Sequence, residues 1–229
     1  MFRLIVSQPL SETEIALRTT PEEQAHARTF GCVRRRSEWL SWRAIVRREL
    51  SCEWVCDPAG IRIGYDAAGA PRVEILEPRK SVPGSSESGI PGSGEQEAGM
   101  AVSGISGFIG CAVHVAVSHC EGSIAVAFAD TPCAVDVESA ARDFGRVVSR
   151  YMTVEEQTLS DVPWWPAVVW CAKETLYKFA GRCELDLLRD LRIEEVDFHT
   201  AALVGRICGG EALRLHFLQL GGRIIVFLS

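Results

Sequence analysis

Two stretches of the chain have apolar residues at the 3.6-residue spacing of an α-helix. The first stripe consists of Trp39, Trp42, Val46 and Leu50. The second consists of Val169, Ala172, Leu176 and Phe179. Pro166 suits the first turn of the second helix and Gly181 its C-terminal end. The pattern therefore predicts one helix over residues 34–50 and another from Pro166 to Gly181.

Elsewhere, apolar residues alternate with small or polar ones, which is typical of β-strands. Residues 113–117 and 124–128 alternate in this way on either side of a short polar turn, and together they predict a β-hairpin. A short strand over 134–138 follows. Near the start of the chain, residues 2–6 predict a strand, and a helix can begin within 11–20.

The last part of the chain, residues 201–229, holds three apolar runs separated by two glycine pairs, which predicts an antiparallel meander. We find no repeated βα units and no internal sequence repeat, so the expected fold class is α+β. Residues 81–107 are rich in Gly, Ser and Pro and predict a long flexible loop.

Charge separates one segment from the rest of the 229-residue chain. The formal net charge of −6 argues against a general nucleic-acid binder, because affinity for a phosphate backbone needs a basic surface. Between residues 34 and 48, however, there are six arginines and one acid, Glu38. Arg36, Arg43 and Arg47 lie beside the apolar stripe. A basic patch of this kind suits a compact anionic ligand.

Cysteine usage and hydropathy favour a cytoplasmic protein. The nine cysteines form no paired CxxC sets with zinc spacing, and we expect them to be reduced. No run approaches the roughly 20 apolar residues of a membrane span, and residues 1–10 lack the basic start and apolar core of a signal peptide. We therefore predict a cytoplasmic protein that does not bind membranes.

Two carboxylates stand out on the predicted strand 134–138. Because side chains alternate across a strand, Val135 and Val137 would face the core, while Asp136 and Glu138 would project together from the other face, roughly 7 Å apart. Oxygen ligands of this kind suit Mg²⁺. The ordinary alternative is a solvated edge strand with two acids on its wet face.

The second helix adds Glu174 and Lys178, which are four residues apart and so share one face, roughly opposite the apolar stripe. On spacing alone they are an ordinary exposed ion pair worth tenths of a kcal/mol. Ser118 and His119 end a predicted strand. They resemble a nucleophile and its base, but neighbours on a strand point to opposite faces, so both could instead hold a phosphate, or cap a turn at the surface.

Three motifs together resemble the 4′-phosphopantetheinyl transferase superfamily, specifically its larger, two-lobed surfactin-synthetase-activating type. They are Val117-Ser118-His119, Val135-Asp136-Val137-Glu138 and Trp170-x-x-Lys173-Glu174-x-x-x-Lys178. The resemblance extends from about residue 34 to residue 178. The family strand is usually Gly-Ile-Asp-Ile-Glu, so Ala134 and two valines depart from it, and the segment 81–107 lengthens the linker that follows a possible Gly-x-Pro counterpart, Gly69-Ala70-Pro71.

The resemblance implies roles for individual residues. The implied metal ligands are Asp136, Glu138 and Glu174. The implied contacts to coenzyme A are Arg36, Arg43, Ser118, His119, Lys173 and Lys178. Among these, Arg43 would meet the 3′-phosphate and Lys178 the phosphate that is attacked. The implied catalytic residues are Glu174, Lys178 and His119, with Glu174 as the general base.

The implied reaction is Mg²⁺-dependent transfer of 4′-phosphopantetheine from coenzyme A to a serine of an apo acyl or peptidyl carrier protein, with release of 3′,5′-adenosine bisphosphate. The implied fold is a monomer of two similar lobes related by pseudo-two-fold symmetry, residues 1–133 and 134–229. Fatty acid synthesis is one pathway such a carrier could serve. One alternative is a noncatalytic module that binds coenzyme A or a carrier protein. The other is a serine hydrolase using Ser118 and His119, but no Gly-x-Ser-x-Gly elbow surrounds Ser118.

Overall fold

The structure is a computed structural model that describes residues 1–54, 57–75 and 113–229. The predicted loop 81–107 lies outside the described residues. The described helices are α1 (Glu12–Ala16), α2 (Pro21–Arg28), α3 (Val33–Trp54), α4 (Val154–Gln157) and α5 (Trp165–Ala180). The described strands are β1 (Phe2–Ser7), β2 (Ile61–Tyr65), β3 (Pro71–Ile75), β4 (His114–Cys120), β5 (Ser123–Ala129), β6 (Ala134–Ser139), β7 (Leu191–Asp197), β8 (Ala202–Ile207), β9 (Leu213–Leu220) and β10 (Arg223–Leu228).

Helices and antiparallel sheets are mixed over these ranges, so the α+β prediction is confirmed. One sheet has the strand order β1-β5-β4 and another the order β6-β10-β9-β8-β7, while β2 and β3 form a separate hairpin. In each of the two larger sheets the first strand of the sheet along the chain pairs antiparallel with the last one. No helix in the described ranges is long and apolar enough to cross a bilayer.

Periodicity located most of these elements correctly. The predicted helix 34–50 is the core of α3, the predicted hairpin is β4–β5, and the tail meander is β8–β9–β10. Helix α5 begins next to Pro166 and ends at Gly181, which has a positive φ of 59° and closes the helix in the left-handed conformation. The opening strand and the strand over 134–138 are also present, as β1 and β6.

The elements that the pattern missed bury little apolar surface. Helix α2 buries only Ala27, strand β7 buries only Leu191 and Ile193, and the β2–β3 hairpin buries only Ile61. Their polar residues therefore hide the periodicity on which the prediction depends. Helix α2 is instead marked by its start, where Thr20 caps the helix and Pro21 occupies its first turn.

The same five-residue pattern starts two of the helices. Thr20–Gln24 and Thr153–Gln157 share the pattern Thr-x-Glu-Glu-Gln. In both, the threonine caps the helix and the second glutamate, Glu23 or Glu156, completes a capping box. With five residues, the repeat is too short to be distinguished in the sequence from chance.

Small side chains bring the two larger sheets together. Ala116, Ala125 and Ala127 of β4 and β5 pack in one buried cluster with Val135 and Val137 of β6. Because alanine leaves room for a close approach of backbones, β6 lies directly against β4. The polar ends of these two strands consequently meet at the same place.

Candidate active site

A cavity of about 600 Å³ opens where the start of α3, the end of β4, strand β6 and helix α5 meet. Its polar lining comes from all four elements. The acidic side chains around it are Glu38, Glu121, Asp136, Glu138 and Glu174. The cationic and neutral polar ones include Arg34, Arg35, Arg142, Ser118 and His119.

Strand β6 provides the cavity with two buried carboxylates. Asp136 and Glu138 are each 6% exposed, while Val135 and Val137 pack in the cluster between the sheets. The predicted alternation of faces is therefore confirmed. The alternative of two solvated acids is wrong. Strand β6 is at the edge of its sheet, but β4 and α5 cover it. Burying two carboxylates is costly unless each has a partner of its own.

Asp136 is held between a hydroxyl and an ammonium group. Ser118 Oγ donates to Asp136 Oδ1 at 2.7 Å, and Lys178 Nζ donates to the same oxygen at 2.8 Å. Lys178 also donates to the carbonyl oxygen of Val135 at 3.1 Å. The structure thus brings together three residues that came from three separate sequence motifs. The Lys178 side chain remains about one third exposed, so it can still reach a ligand.

Glu138 has a different set of partners. It accepts a hydrogen bond from Cys120 Sγ and one from its neighbour's amide, Ser139 N, and it forms an ion pair with Arg142. Burial and the adjacent Glu138 raise the pKa of Cys120 to about 12. The thiol therefore stays protonated and acts as a donor to the carboxylate, not as a nucleophile.

Glu174 faces the same cavity from α5. Burial raises the pKa of Glu174, and the negative charge of Asp136 raises it further, while the charge of Lys178 lowers it. A raised pKa means that the carboxylate holds its proton more readily, as a base does. Three carboxylates near one another also create a demand for positive charge, which Lys178 and Arg142 meet in this structure.

Ser118 and His119 both reach the cavity but have different partners. Ser118 bonds to Asp136, whereas His119 Nδ1 lies 3.0 Å from Glu38 Oε2 on α3. No hydrogen bond joins the two neighbours within the described residues. The serine is therefore without the adjacent base that a serine hydrolase needs, in agreement with the alternation expected on a strand.

Four residues that the resemblance assigned to coenzyme A do not line the cavity: Lys178, which pairs with the lining residue Asp136, and three more. Arg36 donates to the carbonyl oxygens of residues 27 and 30 at the end of α2. Arg43 is 2% exposed and lies over the ring of Trp39, 3.4 Å from its centroid. Lys173 is fully buried, and its ammonium donates to Glu156 Oε2 at 2.8 Å. Their predicted ligand contacts stay predictions, and each has a structural partner here.

Neither periodicity nor the motifs indicate three of the residues at the cavity. Glu38 is distinctive in the sequence only as the one acid in a basic segment, and no pattern marks Cys120 or Arg142. Cys120 follows Ser118 by two residues on β4, just as Glu138 follows Asp136 on β6. The period-two spacing of two facing strands could have identified that pair. Arg142 lies in a loop, where no periodicity applies.

A comparison with protein families matches residues 132–221 to the model of the 4′-phosphopantetheinyl transferase superfamily. This segment is similar to members of that superfamily. The resemblance inferred from the motifs is confirmed at the level of the superfamily, while the two-lobed type stays a prediction. The matched segment contains Asp136, Glu138, Glu174 and Lys178. Ser118, His119 and α3 precede it. No curated protein matches the chain closely enough to serve as a relative. A phosphopantetheinyl transferase domain supports transferase chemistry with coenzyme A and a carrier protein.

The donor chemistry at β6 and α5 fits a hard divalent cation. Asp136, Glu138 and Glu174 offer carboxylate oxygens of the kind that Mg²⁺ prefers. As they stand, no group of three or more acidic, histidine or cysteine side chains in the described ranges is arranged to hold a metal ion. Lys178 and Arg142 already neutralise two of these carboxylates, so a metal ion would have to replace one or both of their ion pairs.

Proposed function

We propose that this protein transfers 4′-phosphopantetheine from coenzyme A to a serine hydroxyl of an apo acyl or peptidyl carrier protein, with Mg²⁺, releasing 3′,5′-adenosine bisphosphate. The observation that carries the proposal is the convergence in one cavity of Ser118, His119, Asp136, Glu138 and Glu174. These residues come from the three motifs that together resemble this family. The family match to residues 132–221 supports the transferase class independently of the cavity.

In this reaction the carrier serine oxygen forms a bond to the β-phosphorus of coenzyme A, and the bond from that phosphorus to the bridging pyrophosphate oxygen breaks. Glu174, which lines the cavity from α5, accepts the serine proton. Lys178 donates to a phosphate oxygen, a role its partly exposed ammonium can take up by leaving Asp136.

Asp136, Glu138 and Glu174 would hold Mg²⁺. When bound, the ion screens the negative charge of the pyrophosphate, which otherwise repels the nucleophile. Ser118 and His119 would donate to phosphates from the other side of the cavity. Arg34 and Arg35, which are exposed at the start of α3 and line the same cavity, extend the cationic surface toward solvent. They are the arginines of α3 that can meet the adenosine phosphates in this arrangement.

The proposal includes two similar lobes, residues 1–133 and 134–229, in a monomer. Three features support this division. Each part begins with a strand that pairs with the last strand of that part, each contains one Thr-x-Glu-Glu-Gln helix start, and each repeat glutamate pairs with a buried cation of the long helix that follows. Both parts contribute lining residues to the cavity, so one chain would supply the whole site.

A noncatalytic module that binds coenzyme A or a carrier protein is the second candidate. It would need the cationic residues of the cavity but not its buried acids. Asp136, Glu138 and Glu174 all line the cavity, where they would repel the phosphates of coenzyme A unless a cation such as Mg²⁺ lies between them. These three acids favour catalysis over binding alone.

Intact-mass measurement of apo carrier proteins after incubation with the enzyme, coenzyme A and Mg²⁺ tests the proposal. We expect one carrier class to gain the mass of a phosphopantetheine group, and a carrier whose acceptor serine is alanine to gain none. An unchanged mass for carriers of fatty-acid, polyketide and peptide synthesis, together with tight coenzyme A binding, would favour the noncatalytic module.

A further inference from the structure

Glu38 is a buried carboxylate at the cavity that no family motif accounts for. It is 4% exposed and lies in the first half of α3. Gly122 N donates to its Oε1 at 2.7 Å, and His119 Nδ1 lies 3.0 Å from its Oε2. Both oxygens are therefore engaged across the gap between α3 and the β4–β5 hairpin. The third neighbour, Arg34, is more distant, with Nε 3.9 Å away.

The contact of Glu38 involves the backbone of the turn between β4 and β5. Glu121 and Gly122 both have positive φ, at 43° and 79°, so the turn is tight and its two residues leave few conformations open. Glu38 ties the amide of Gly122 to α3. His119 is the penultimate residue of β4, and only Cys120 separates it from that turn. The same carboxylate thus fixes both the backbone of the turn and the ring next to it.

We infer that Glu38 is a positioning residue: it accepts the Nδ1 proton of His119 and thereby presents the other ring nitrogen, Nε2, to an anionic group in the cavity. A carboxylate at Nδ1 selects the ring form that carries a proton there. When Nε2 also donates to a phosphate, the negative charge of Glu38 balances the positive charge of the ring. The identity of that anion as a phosphate of coenzyme A rests on the proposed function, but the coupling of Glu38 to His119 does not.

Glu38→Gln separates this role from simple anchoring of the turn. The glutamine keeps its size and one carbonyl oxygen, so it can still accept the Gly122 amide. Its other terminal atom is then an NH₂ group, which can only donate to Nδ1. The turn can stay in place, but the histidine has to change its protonated nitrogen or lose its partner.

Nitrogen-15 NMR of the imidazole groups tests the coupling directly, with the His119 signals identified by their loss in His119→Gln. We expect Nδ1 of His119 to carry a proton in the wild type and to lose it in Glu38→Gln. Glu49→Gln is the matched control, because Glu49 is also an ion-paired glutamate of α3 but lies outside the cavity. An identical His119 pattern in the wild type and in Glu38→Gln overturns the inference.

A double-mutant cycle on coenzyme A binding by calorimetry gives the functional counterpart. We expect Glu38→Gln and His119→Gln each to weaken binding about tenfold, and the double variant to bind no more weakly than His119→Gln alone. Losses that multiply would show that Glu38 acts independently of His119 and overturn the inference. Failure of the wild type to bind coenzyme A would instead overturn the proposed function, and the imidazole signals would still decide the role of Glu38.

Discussion

The described residues before and after position 134 share a plan of ion pairs to a long helix, in which one pair keeps its sign and another is reversed. We refer to residues 1–54, 57–75 and 113–133 as the first region and to residues 134–229 as the second region. In the first, Glu23 pairs with Arg47 of α3 at 2.8 Å, and in the second, Glu156 pairs with Lys173 of α5 at 2.8 Å. Both glutamates are also capping-box residues, so each carboxylate joins a helix start to a longer helix.

The first strand of each region shows where the two differ. From β1, the cation Arg3 reaches Glu53 and Glu49 of α3, at 3.0 Å and 3.7 Å. From β6, the anion Asp136 reaches Lys178 of α5 at 2.8 Å. The strand-to-helix pair is thus reversed in sign. Only in the second region does the strand place an acid of this pair, Asp136, at the cavity.

This comparison distinguishes structural from chemical ion pairs on a single helix. Lys173 and Lys178 are five residues apart on α5. Lys173 is fully buried with a buried partner, and its pKa is lowered by that burial, whereas Lys178 is partly exposed at the edge of the cavity. The motif Lys-Glu-x-x-x-Lys therefore joins a lysine that holds the fold to a glutamate that lines the cavity and a lysine that pairs with the cavity residue Asp136.

The largest expected effect comes from Asp136→Asn, set against Arg3→Gln in the first region. Losing the carboxylate should reduce transfer on the order of 10³-fold, since a metal ligand contributes several kcal/mol to the transition state. Arg3→Gln should leave the rate constant within about twofold, because Arg3 is not a cavity residue. Equal activity of Asp136→Asn and the wild type in saturating Mg²⁺ would remove Asp136 from the site.

The next largest effects should be losses of stability in Glu156→Gln and Glu23→Gln. Breaking a buried ion pair typically costs about 3–5 kcal/mol, and we expect this for Glu156, whose side chain and partner are 1% and 0% exposed. Glu23 should cost less, because its side chain is 12% exposed. It also lies 3.3 Å from Arg43 Nε, but both of its arginine partners keep other hydrogen bonds, Arg47 to two carbonyl oxygens and Arg43 to the Tyr65 hydroxyl. Urea unfolding measures both. A larger loss for Glu23 would contradict this ranking.

Measurements of the affinity for coenzyme A distinguish the arginines of α3 that line the cavity from those that do not. The double variant Arg34→Ala/Arg35→Ala should weaken binding about tenfold or more, because both residues line the cavity. Arg43→Met should lower the stability, since Arg43 packs on Trp39 and donates to Tyr65, but should change the affinity for coenzyme A and for its 3′-dephospho analogue equally. A selective loss for coenzyme A in Arg43→Met would support the 3′-phosphate contact that the resemblance implies.

The smallest expected effects come from the two helix caps. Thr20→Ala and Thr153→Ala should each cost about 1 kcal/mol, because each threonine accepts the amide of the third helical residue. Thr→Ser at either position should restore most of the loss. Clearly unequal costs would mean that the two repeats differ in more than their partners.

Sequence reasoning succeeded where one periodicity or motif decides the outcome. It located α3, α5, the β4–β5 hairpin and the alternation of Asp136 and Glu138 with buried valines. It failed where a pairing depends on distant residues. Nothing in the sequence near Lys173 indicates that it will pair with Glu156, and nothing near Arg43 indicates that Tyr65 will help to cover it. The fate of a charged side chain depends on what packs over it, and local spacing does not contain that information.

Anomalous diffraction from crystals grown with Mn²⁺ and coenzyme A can show whether the cavity between β4, β6 and α5 is the transferase site. We expect one manganese peak bonded to carboxylate oxygens of Asp136, Glu138 and Glu174, with the pyrophosphate beside Ser118 and His119. Bound coenzyme A elsewhere, with the Asp136–Lys178 and Glu138–Arg142 ion pairs intact and no manganese between these acids, would rule this assignment out.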